Sequence, residues 1–243
     1  MTVTVRAPFF EIGVKNYLYG DAVVELARAA DEAARRHGVD VLFIAPLIEL
    51  RRVVDATTSL TVLASHMDPI GVGRGLTKVL PEAVADAGAQ GVVINHVEHP
   101  MTVDEVHRTI DKARELELLS FVCADSIAEA EALAGFGPDI LNPEPSARIG
   151  TSGGVPLDFI AASTLAIRAR NPRILVEQAA GISTPGDVTA AIRAGADGVG
   201  VASGIAGSSD PAGIAAAMIA ALAAARDAGW APLDLPVGKD ILT

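Results

Sequence analysis

The sequence predicts an α/β barrel of eight parallel strands, each followed by a helix, and three observations lead to this prediction. Short β-branched runs alternate with Ala-, Glu- and Arg-rich amphipathic stretches along the whole chain. Several of the short runs, such as 41–45 and 92–95, are almost wholly apolar, as in parallel strands that are buried on both faces. A chain of 243 residues also suits one such barrel, which typically needs about 250. We therefore expect a single domain over residues 1–243.

The predicted strands are short and are bounded by Gly, Pro, Asp or Asn. They are 9–16, 40–45, 61–66, 90–96, 119–124, 139–142, 173–178 and 197–202. The predicted helices are 20–37, 46–56, 78–88, 102–116, 126–135, 156–170, 185–194 and 210–228. Gly38, Gly195 and Gly229 mark helix ends, and Thr102 with Glu105 has the spacing of a capping box. Eight strand–helix units without a linker favour a closed barrel over an open sheet.

Composition limits the classes of partner. The net charge of −11 argues against nucleic acid, which needs basic stripes, but it permits a small phosphorylated substrate held by a few local donors. The single cysteine, Cys123, excludes an intrachain disulfide and suits a reducing cytoplasm. The first ten residues lack the pattern of a signal peptide. The most apolar run, 211–225, is too short and Ala-rich for a membrane span, so we expect a buried helix there and no membrane partner.

A carboxylate and a glycine-rich loop follow the predicted strand 139–142. Glu144 lies in the stretch Asn-Pro-Glu-Pro, and Arg-Ile-Gly-Thr-Ser-Gly-Gly follows at 148–154. A base that removes a proton from carbon must touch its substrate, and a loop must then exclude water. Taken alone, a loop glutamate is more often a solvated surface residue. Because barrels hold their chemistry at the carboxyl ends of strands, Glu144 is a candidate base.

Lys15 and His96 end the first and fourth predicted strands, at the same side of the barrel. A lysine there either holds an anionic substrate or pairs with a neighbouring carboxylate, and both can be true. Backbone N–H groups near the helix start at Thr102 favour a neutral imidazole at His96, which can still donate a hydrogen bond. The plainer alternative is a histidine satisfied at a strand end. Glu98 is close by and can pair with Lys15 as support.

Two loops of small residues follow the last two predicted strands. Gly181 and Ile182 lie in the first loop, and Ala202 and Ser203 in the second. Small side chains let backbone N–H groups approach a phosphate, and these two loops commonly form the phosphate site of a barrel. Either loop alone is a weak indication.

The remaining histidines indicate no metal site. His66 and His99 are expected near the barrel mouth without an assigned role, and His37 and His107 on solvated helix faces. No His, Cys or Asp cluster has the spacing of metal ligands, and there is neither a serine nucleophile elbow nor a Walker-type loop. We therefore expect no metal and no cofactor.

Taken in order, a series of motifs resembles the triosephosphate isomerase family, specifically its short archaeal-type branch. The resemblance runs from about Phe10 to Pro211, and the agreement of order with spacing is more specific than any single motif. The motifs are VKNY (14–17), APLIEL (45–50), SHMDP (65–69), INHVE (94–98), VCAD (122–125), PEPSARIGT (143–151), AAGIST (179–184) and GVASG (200–204).

The resemblance implies a (β/α)8 TIM barrel and a cofactor-free aldose–ketose isomerase of glycolysis and gluconeogenesis, expected as a homo-oligomer, dimer or tetramer. Lys15 resembles the family's substrate-binding lysine, and Glu98 the residue that supports it. His96 resembles the neutral electrophile, and Glu144 the base beside the lid loop. These roles are carried over from the family's known mechanism. The implied phosphate contacts are Gly150, Gly181, Ile182, Ala202 and Ser203.

Three positions depart from the family pattern. Gly13 stands where the family has a substrate-contacting Asn, Val97 where it has Ser, and Leu76 where it has Thr in the loop after the third strand. Because the Lys, His and Glu remain, we expect the reaction type to be kept. The default substrate pair is glyceraldehyde 3-phosphate and dihydroxyacetone phosphate. Gly13 frees space for one more carbon, so a tetrulose (erythrulose) phosphate is the alternative.

Two alternatives belong to other classes of protein. One is a non-catalytic barrel that binds phosphorylated metabolites, although such a binder needs no base. The other is a Schiff-base lyase, for which Lys15 is the candidate lysine at a strand end.

Overall fold

The computed structural model describes residues 3–151 and 153–233, and in it eight parallel strands form a closed barrel. Each strand pairs with the next one along the chain, and β1 closes the barrel on β8 through the register Glu11↔Gly200 and Ile12↔Val201. The prediction of a (β/α)8 TIM barrel is confirmed. The strands are β1 Phe9–Gly13, β2 Val41–Ala45, β3 Leu60–Ala64, β4 Gly91–Ile94, β5 Leu119–Ala124, β6 Ile140–Pro143, β7 Leu175–Gln178 and β8 Gly198–Val201.

Helices surround the barrel, and α1, α7 and α9 pack together on the side where β1 meets β8. Two short 3-10 turns, Leu47–Glu49 and Ser146–Arg148, lie in the loops after β2 and β6. The α-helices are α1 Asp21–His37, α2 Leu50–Ala56, α3 Pro81–Asp86, α4 Val103–Glu115, α5 Ile127–Ala134, α6 Leu157–Arg170, α7 Pro185–Arg193, α8 Ser203–Ala206 and α9 Pro211–Asp227.

Four strands (β1, β3, β4 and β8) end earlier than predicted, and for β1 and β4 the backbone conformation gives the reason. Lys15 has a φ of 47° and Asn95 a φ of 61°, both in the left-handed region. Since a strand cannot continue through that conformation, β1 stops at Gly13 and β4 at Ile94. Lys15 and His96 therefore lie in the loops just beyond their strands, where their side chains face the barrel mouth.

Helix boundaries also differ from the predictions in the loops near the mouth. The predicted helix 46–56 begins as a 3-10 turn, and the predicted helix 78–88 is shortened to Pro81–Asp86. Helix α8 was not predicted, because its four residues are too few to show a helical period. The capping box is confirmed: Thr102 Oγ1 accepts from the Glu105 N–H, and the Glu105 carboxylate accepts from the Thr102 N–H.

The core has two parts, one inside the barrel and one between the barrel and its helices. Phe9 fills the lower interior, and an added Cβ at Gly198 would lie 2.3 Å from its ring, so this strand position requires glycine. The apolar run 211–225 forms most of α9, with Met218, Ile219 and Leu222 buried. Over residues 3–151 and 153–233, no helix is long and apolar enough to cross a membrane.

A buried ion pair ties the lower rim of the barrel where it closes. The Arg168 guanidinium donates to both Asp197 carboxylate oxygens at 2.6 and 2.8 Å, with side chains 9% and 1% exposed. Asp197 also accepts from the Val176 N–H at 2.9 Å, and its carbonyl accepts from the Phe9 N–H at 3.0 Å. One carboxylate and its backbone thereby connect α6, β1, β7 and the start of β8.

We expect Arg168→Ala to lower the free energy of unfolding by about 3–5 kcal/mol, because it leaves a buried carboxylate without its cation. The matched control is Arg170→Ala, two residues along α6, which removes an exposed pair with Glu131 at 3.0 Å and is expected to cost under about 1 kcal/mol. Urea unfolding followed by circular dichroism measures both. Equal costs for the two variants would contradict the assignment.

Candidate active site

Every predicted site residue lies on the wall of one cavity of about 490 Å³ at the carboxyl ends of the strands. The loops after every strand except β5 contribute side chains or backbone to the upper wall. Strand β5 contributes from inside the barrel. The predicted residues that line it are Gly13, Lys15, His96, Glu98, Glu144, Gly150, Gly181, Ile182, Ala202 and Ser203.

Glu144 is placed by the end of β6. Its backbone N–H donates to the Ala124 carbonyl at 2.8 Å, which holds the residue against β5 immediately after the last strand pair. The side chain is 12% exposed and enters the cavity. Burial raises the pKa of this carboxyl, the Lys15 charge opposes the rise, and the Glu98 charge adds to it. A carboxylate whose pKa is raised is a stronger base than a solvated one.

His96 faces Glu144, with its Nε2 3.8 Å from Glu144 Oε2. The Glu98 backbone N–H donates to His96 Nδ1 at 3.1 Å. Since Nδ1 accepts, this hydrogen-bond network assigns the proton of a neutral imidazole to Nε2, which points into the cavity as a donor. An imidazolium would carry a proton on Nδ1 and lose this contact. From the sequence, the neutral form of His96 is attributed to the helix start at Thr102. In the structure, the contact that favours the neutral form comes from the tight turn at 96–99.

The pKa of His96 is lowered first by burial and then by the positive charge of Lys15, while Glu98 opposes the shift. The hydrogen bond to Nδ1 acts in the same direction, because it is available only to the neutral ring. His96 is therefore suited to donate a hydrogen bond from Nε2 without transferring a full proton.

Lys15 reaches across the mouth to Glu98, and its Nζ lies 3.0 Å from Glu98 Oε1. The lysine side chain is 23% exposed and the glutamate 61% exposed, so the pair has one end in the cavity and one end in solvent. The pairing expected from the sequence is thus present. It links the loop after β1 to the loop after β4 and holds a cation beside His96.

The loop after β6 is tied at both ends. Its beginning is held by Asp125, whose carboxylate accepts from the Ser146 N–H, and its end by the Gly154 N–H, which donates to the Gly181 carbonyl at 2.9 Å. Gly150 lies between them at φ 75°, a conformation that suits glycine. The loop therefore joins the base at Glu144 to the small-residue loop after β7.

The small-residue loops after β7 and β8 lie side by side above the cavity. An added Cβ at Gly181 would lie 3.1 Å from the Gly154 carbonyl oxygen, so this close approach needs a small residue. Among the described residues, no acceptor takes the amide of Gly150 or Gly181. The Ile182 N–H differs, since it already donates to the Ala179 carbonyl at 3.1 Å.

Sequence reasoning missed Glu11, which lines the floor of the cavity. It is 5% exposed on β1, on the same strand face as Gly13. The signal that could have found it is the period of two along a strand, which places residues 11, 13 and 15 toward one side. Glu11 is also the one charged residue in the otherwise uncharged segment 9–14.

The structure brings together three groups that the sequence spacing did not connect. The ligand atoms of His66, Asp68 and His99 lie within 4.8 Å of one another. The spacing of these residues along the chain showed no sign of this cluster, because His99 comes from a different loop. Asp68 is already engaged by Lys78 Nζ at 2.8 Å and by the Val79 N–H at 2.7 Å, so it braces the loop after β3.

The fold and this cavity define a class of protein: a barrel whose mouth holds a buried carboxylate opposite a neutral imidazole, next to a lysine and loops with open amides. This combination of a base, a hydrogen-bond donor, a cation and open amides suits proton transfer at a carbon next to a carbonyl group. Comparison with known proteins leads to the same class. A family model described as Triosephosphate isomerase matches residues 10–218.

Archaeal proteins named Triosephosphate isomerase are similar over most of the chain. The protein of Cenarchaeum symbiosum is 38% identical over 90% of this chain and 98% of its own length. The protein of Methanothermobacter thermautotrophicus is 36% identical over 82% of this chain and 88% of its own length. The protein of Methanosarcina barkeri is 33% identical over 84% and 94%, respectively. The chain belongs to the triosephosphate isomerase family, and it is an isomerase of the intramolecular oxidoreductase class.

We expect His96 to stay neutral at pH 7 and to protonate only below the ordinary histidine pKa of about 6.5. Because its pKa in the folded protein is lowered, the unfolded chain binds the proton more tightly. The contribution of His96 to stability is thus present above about pH 6.5 and is lost as the pH falls through the folded-state pKa.

An NMR titration of the ring proton shifts measures this pKa, and His96→Gln assigns the resonances. Protonation of His96 at or above pH 6.5 in the free protein would contradict the prediction.

Proposed function

We propose that this protein interconverts glyceraldehyde 3-phosphate and dihydroxyacetone phosphate without a cofactor, with Glu144 as the base and His96 as the electrophile. The observation that carries the proposal is the approach of His96 Nε2 to Glu144 Oε2, 3.8 Å apart on the wall of one cavity. A substrate lying against both groups would present its carbon-bound proton to one and its carbonyl oxygen to the other.

The reaction needs two proton transfers between adjacent carbons. Glu144 takes a proton from the carbon next to the carbonyl, and the electron pair moves to form an enediolate. The Nε2–H of His96 donates to the oxygen on which charge develops, which stabilises that intermediate. Glu144 then returns the proton to the neighbouring carbon, and the hydroxyl proton passes between the two adjacent oxygens beside the Nε2–H of His96. The carbonyl and the hydroxyl thereby exchange places, and no net proton is gained or lost.

Lys15 and the small-residue loops hold the anionic end of the substrate in this proposal. Lys15 is the cation beside the base and the imidazole, and its Nζ is kept at the mouth by Glu98. The N–H groups of Gly150 and Gly181 donate to no protein acceptor among the described residues, which supports their use for phosphate. Ala202 and Ser203 border the same cavity, while Ile182 would have to share its amide with Ala179.

The loop 144–151 carries the base and the first phosphate contact on one segment, which supports a role as a lid. When Gly150 closes onto a bound phosphate, the same movement of the loop excludes water from the cavity around Glu144. Excluding water strengthens the electrostatic contacts and protects an enediolate from side reactions.

The relatives support the triosephosphate isomerase reaction rather than the other classes considered from the sequence. A barrel that only binds phosphorylated metabolites has no use for a buried carboxylate whose pKa is raised. A Schiff-base lyase needs a lysine inside the barrel, whereas Lys15 lies at the mouth beside Glu98.

We expect Glu144→Gln to lower kcat by at least about 100-fold with the fold intact, because a displacement of about 1 Å already costs that much in a proton-transfer site. Glu115→Gln is the control, since it removes an exposed carboxylate of α4 that pairs with Lys112. A coupled assay of triose phosphate isomerisation measures both. Near-normal kcat for Glu144→Gln would refute the mechanism.

We also propose a homo-oligomer in the cytoplasm. Val72 and Leu76 are 80% and 104% exposed, which is unusual for large apolar side chains lying close together in one loop. The free, buried thiol of Cys123 is compatible with the reducing compartment that the sequence predicts.

Light scattering at micromolar concentration should give the mass of a dimer or a tetramer. We expect Leu76→Ser to weaken association at least about 10-fold, because one buried leucine side chain contributes about 1.5–3 kcal/mol. Leu157→Ser alters an exposed leucine on a different face, at the start of α6, and should leave the mass unchanged. A monomeric wild-type protein would contradict the proposal.

A further inference from the structure

A buried carboxylate forms part of the cavity floor and has no role in the reaction proposed above. Glu11 is 5% exposed, lines the cavity from β1, and finds no hydrogen-bond partner for its Oε1 among the described residues. Leaving a buried polar atom unpaired costs about 1–3 kcal/mol. Because the Glu11 carboxylate faces a ligand cavity, a bound ligand can supply the missing hydrogen-bond partner.

Two glycines make room for this carboxylate. An added Cβ at Gly13 would lie 3.1 Å from Glu11 Oε1, so the Asn expected at this position in the family would press against the carboxylate. An added Cβ at Gly200 would lie 2.4 Å from Glu11 Oε2 and 2.7 Å from Glu177 Oε1. The departure at Gly13 and the presence of Glu11 therefore belong together.

Burial and neighbouring charge decide the state of these groups. Burial raises the pKa of Glu11, the Glu144 charge raises it further, and Lys15 opposes the rise. Burial also raises the pKa of Glu177, and the charges of Glu11 and Glu144 add to it. Two carboxylates this close in a low-dielectric interior favour a shared proton. A protonated carboxyl would not repel an anionic substrate, and it can both donate and accept a hydrogen bond.

We propose that the Glu11 carboxyl, which Gly13 accommodates at the cavity floor, forms a subsite for a substrate hydroxyl, and that the substrates of this isomerase include four-carbon ketose phosphates. The inference rests on the proposed isomerase function of the same cavity and extends its substrate class. It makes Glu11 a specificity-determining residue.

A triose phosphate cannot supply the missing partner. Its phosphate is taken by the loops and by Lys15, and its two oxygen-bearing reacting carbons are taken by His96 and Glu144. A fourth carbon adds one hydroxyl that none of these groups uses. A hydroxyl suits a carboxyl in either protonation state, because it can donate to a carboxylate and accept from a carboxylic acid.

The test compares kcat/KM on dihydroxyacetone phosphate with kcat/KM on erythrulose 4-phosphate. We expect the wild type to turn over both. Glu11→Met removes the carboxyl while filling a similar volume, and should lower the tetrulose-to-triose ratio about 10-fold, which corresponds to one lost hydrogen bond. Glu11→Gln retains a donor and an acceptor and should keep most of the ratio. Gly13→Asn should lower the ratio by crowding Glu11.

Glu115→Met is the control, because it makes the same change at an exposed carboxyl of α4, outside the cavity wall, and should leave the ratio within about two-fold. Turnover of the triose alone by the wild type would overturn the inference and leave the proposed function standing. Turnover of neither substrate would refute the proposed function itself. An equal loss on both substrates in Glu11→Met would mean that Glu11 acts on the site as a whole, which also overturns the inference.

A binding measurement keeps the inference testable if a variant fails to fold. By calorimetry, wild-type protein should bind erythritol 4-phosphate about 10-fold more tightly than glycerol 3-phosphate, since only the longer compound brings the extra hydroxyl to Glu11. Equal affinity, or a preference for glycerol 3-phosphate, would overturn it.

Discussion

Closure of the barrel by the pairing of β1 with β8 is the constraint on which the rest of the structure depends. In the register that joins them, Glu11 lies opposite Gly200 and Ile12 opposite Val201. This register brings the cation and the carboxyl carried by β1 and its loop next to the small residues after β8. Because every strand is parallel, each of the other loops reaches the same rim. The buried Arg168–Asp197 pair reinforces the closure at the opposite end.

The interior of this barrel changes character along its axis. Phe9, Leu42, Leu63 and Ile140 fill the lower part with apolar side chains. Above them lie the carboxyls of Glu11 and Glu177, and Glu144 stands at the mouth. Each has its pKa raised, with burial as the main cause. Because an apolar interior would be less costly to bury, we interpret the two carboxyls that line the cavity, Glu11 and Glu144, as retained for a ligand.

The sequence predicted the approximate strand ends more reliably than it predicted which residues become neighbours in space. The alternation of short apolar runs with amphipathic stretches is a local property, so it predicted the barrel and placed Lys15, His96 and Glu144 near one rim. The stopping points of β1 and β4 depend on single residues in the left-handed region, Lys15 and Asn95. Helix α8 is too short to leave a period, and the His66–Asp68–His99 cluster joins two loops that are distant in sequence.

What the sequence by itself determined is the fold, the family and the positions of the candidate residues Lys15, His96 and Glu144, because patterns of polarity and ordered motifs are local properties of the chain. Only the tertiary structure decided which atoms meet. It directed the Glu98 N–H to His96 Nδ1, and so assigned the remaining proton to the nitrogen that faces Glu144. It also placed the Glu11 carboxylate where a side chain at position 13 would otherwise begin. The contact at Nδ1 is local to the tight turn at 96–99, but the approach of His96 to Glu144 joins the loops after β4 and β6 and therefore depends on the closed barrel.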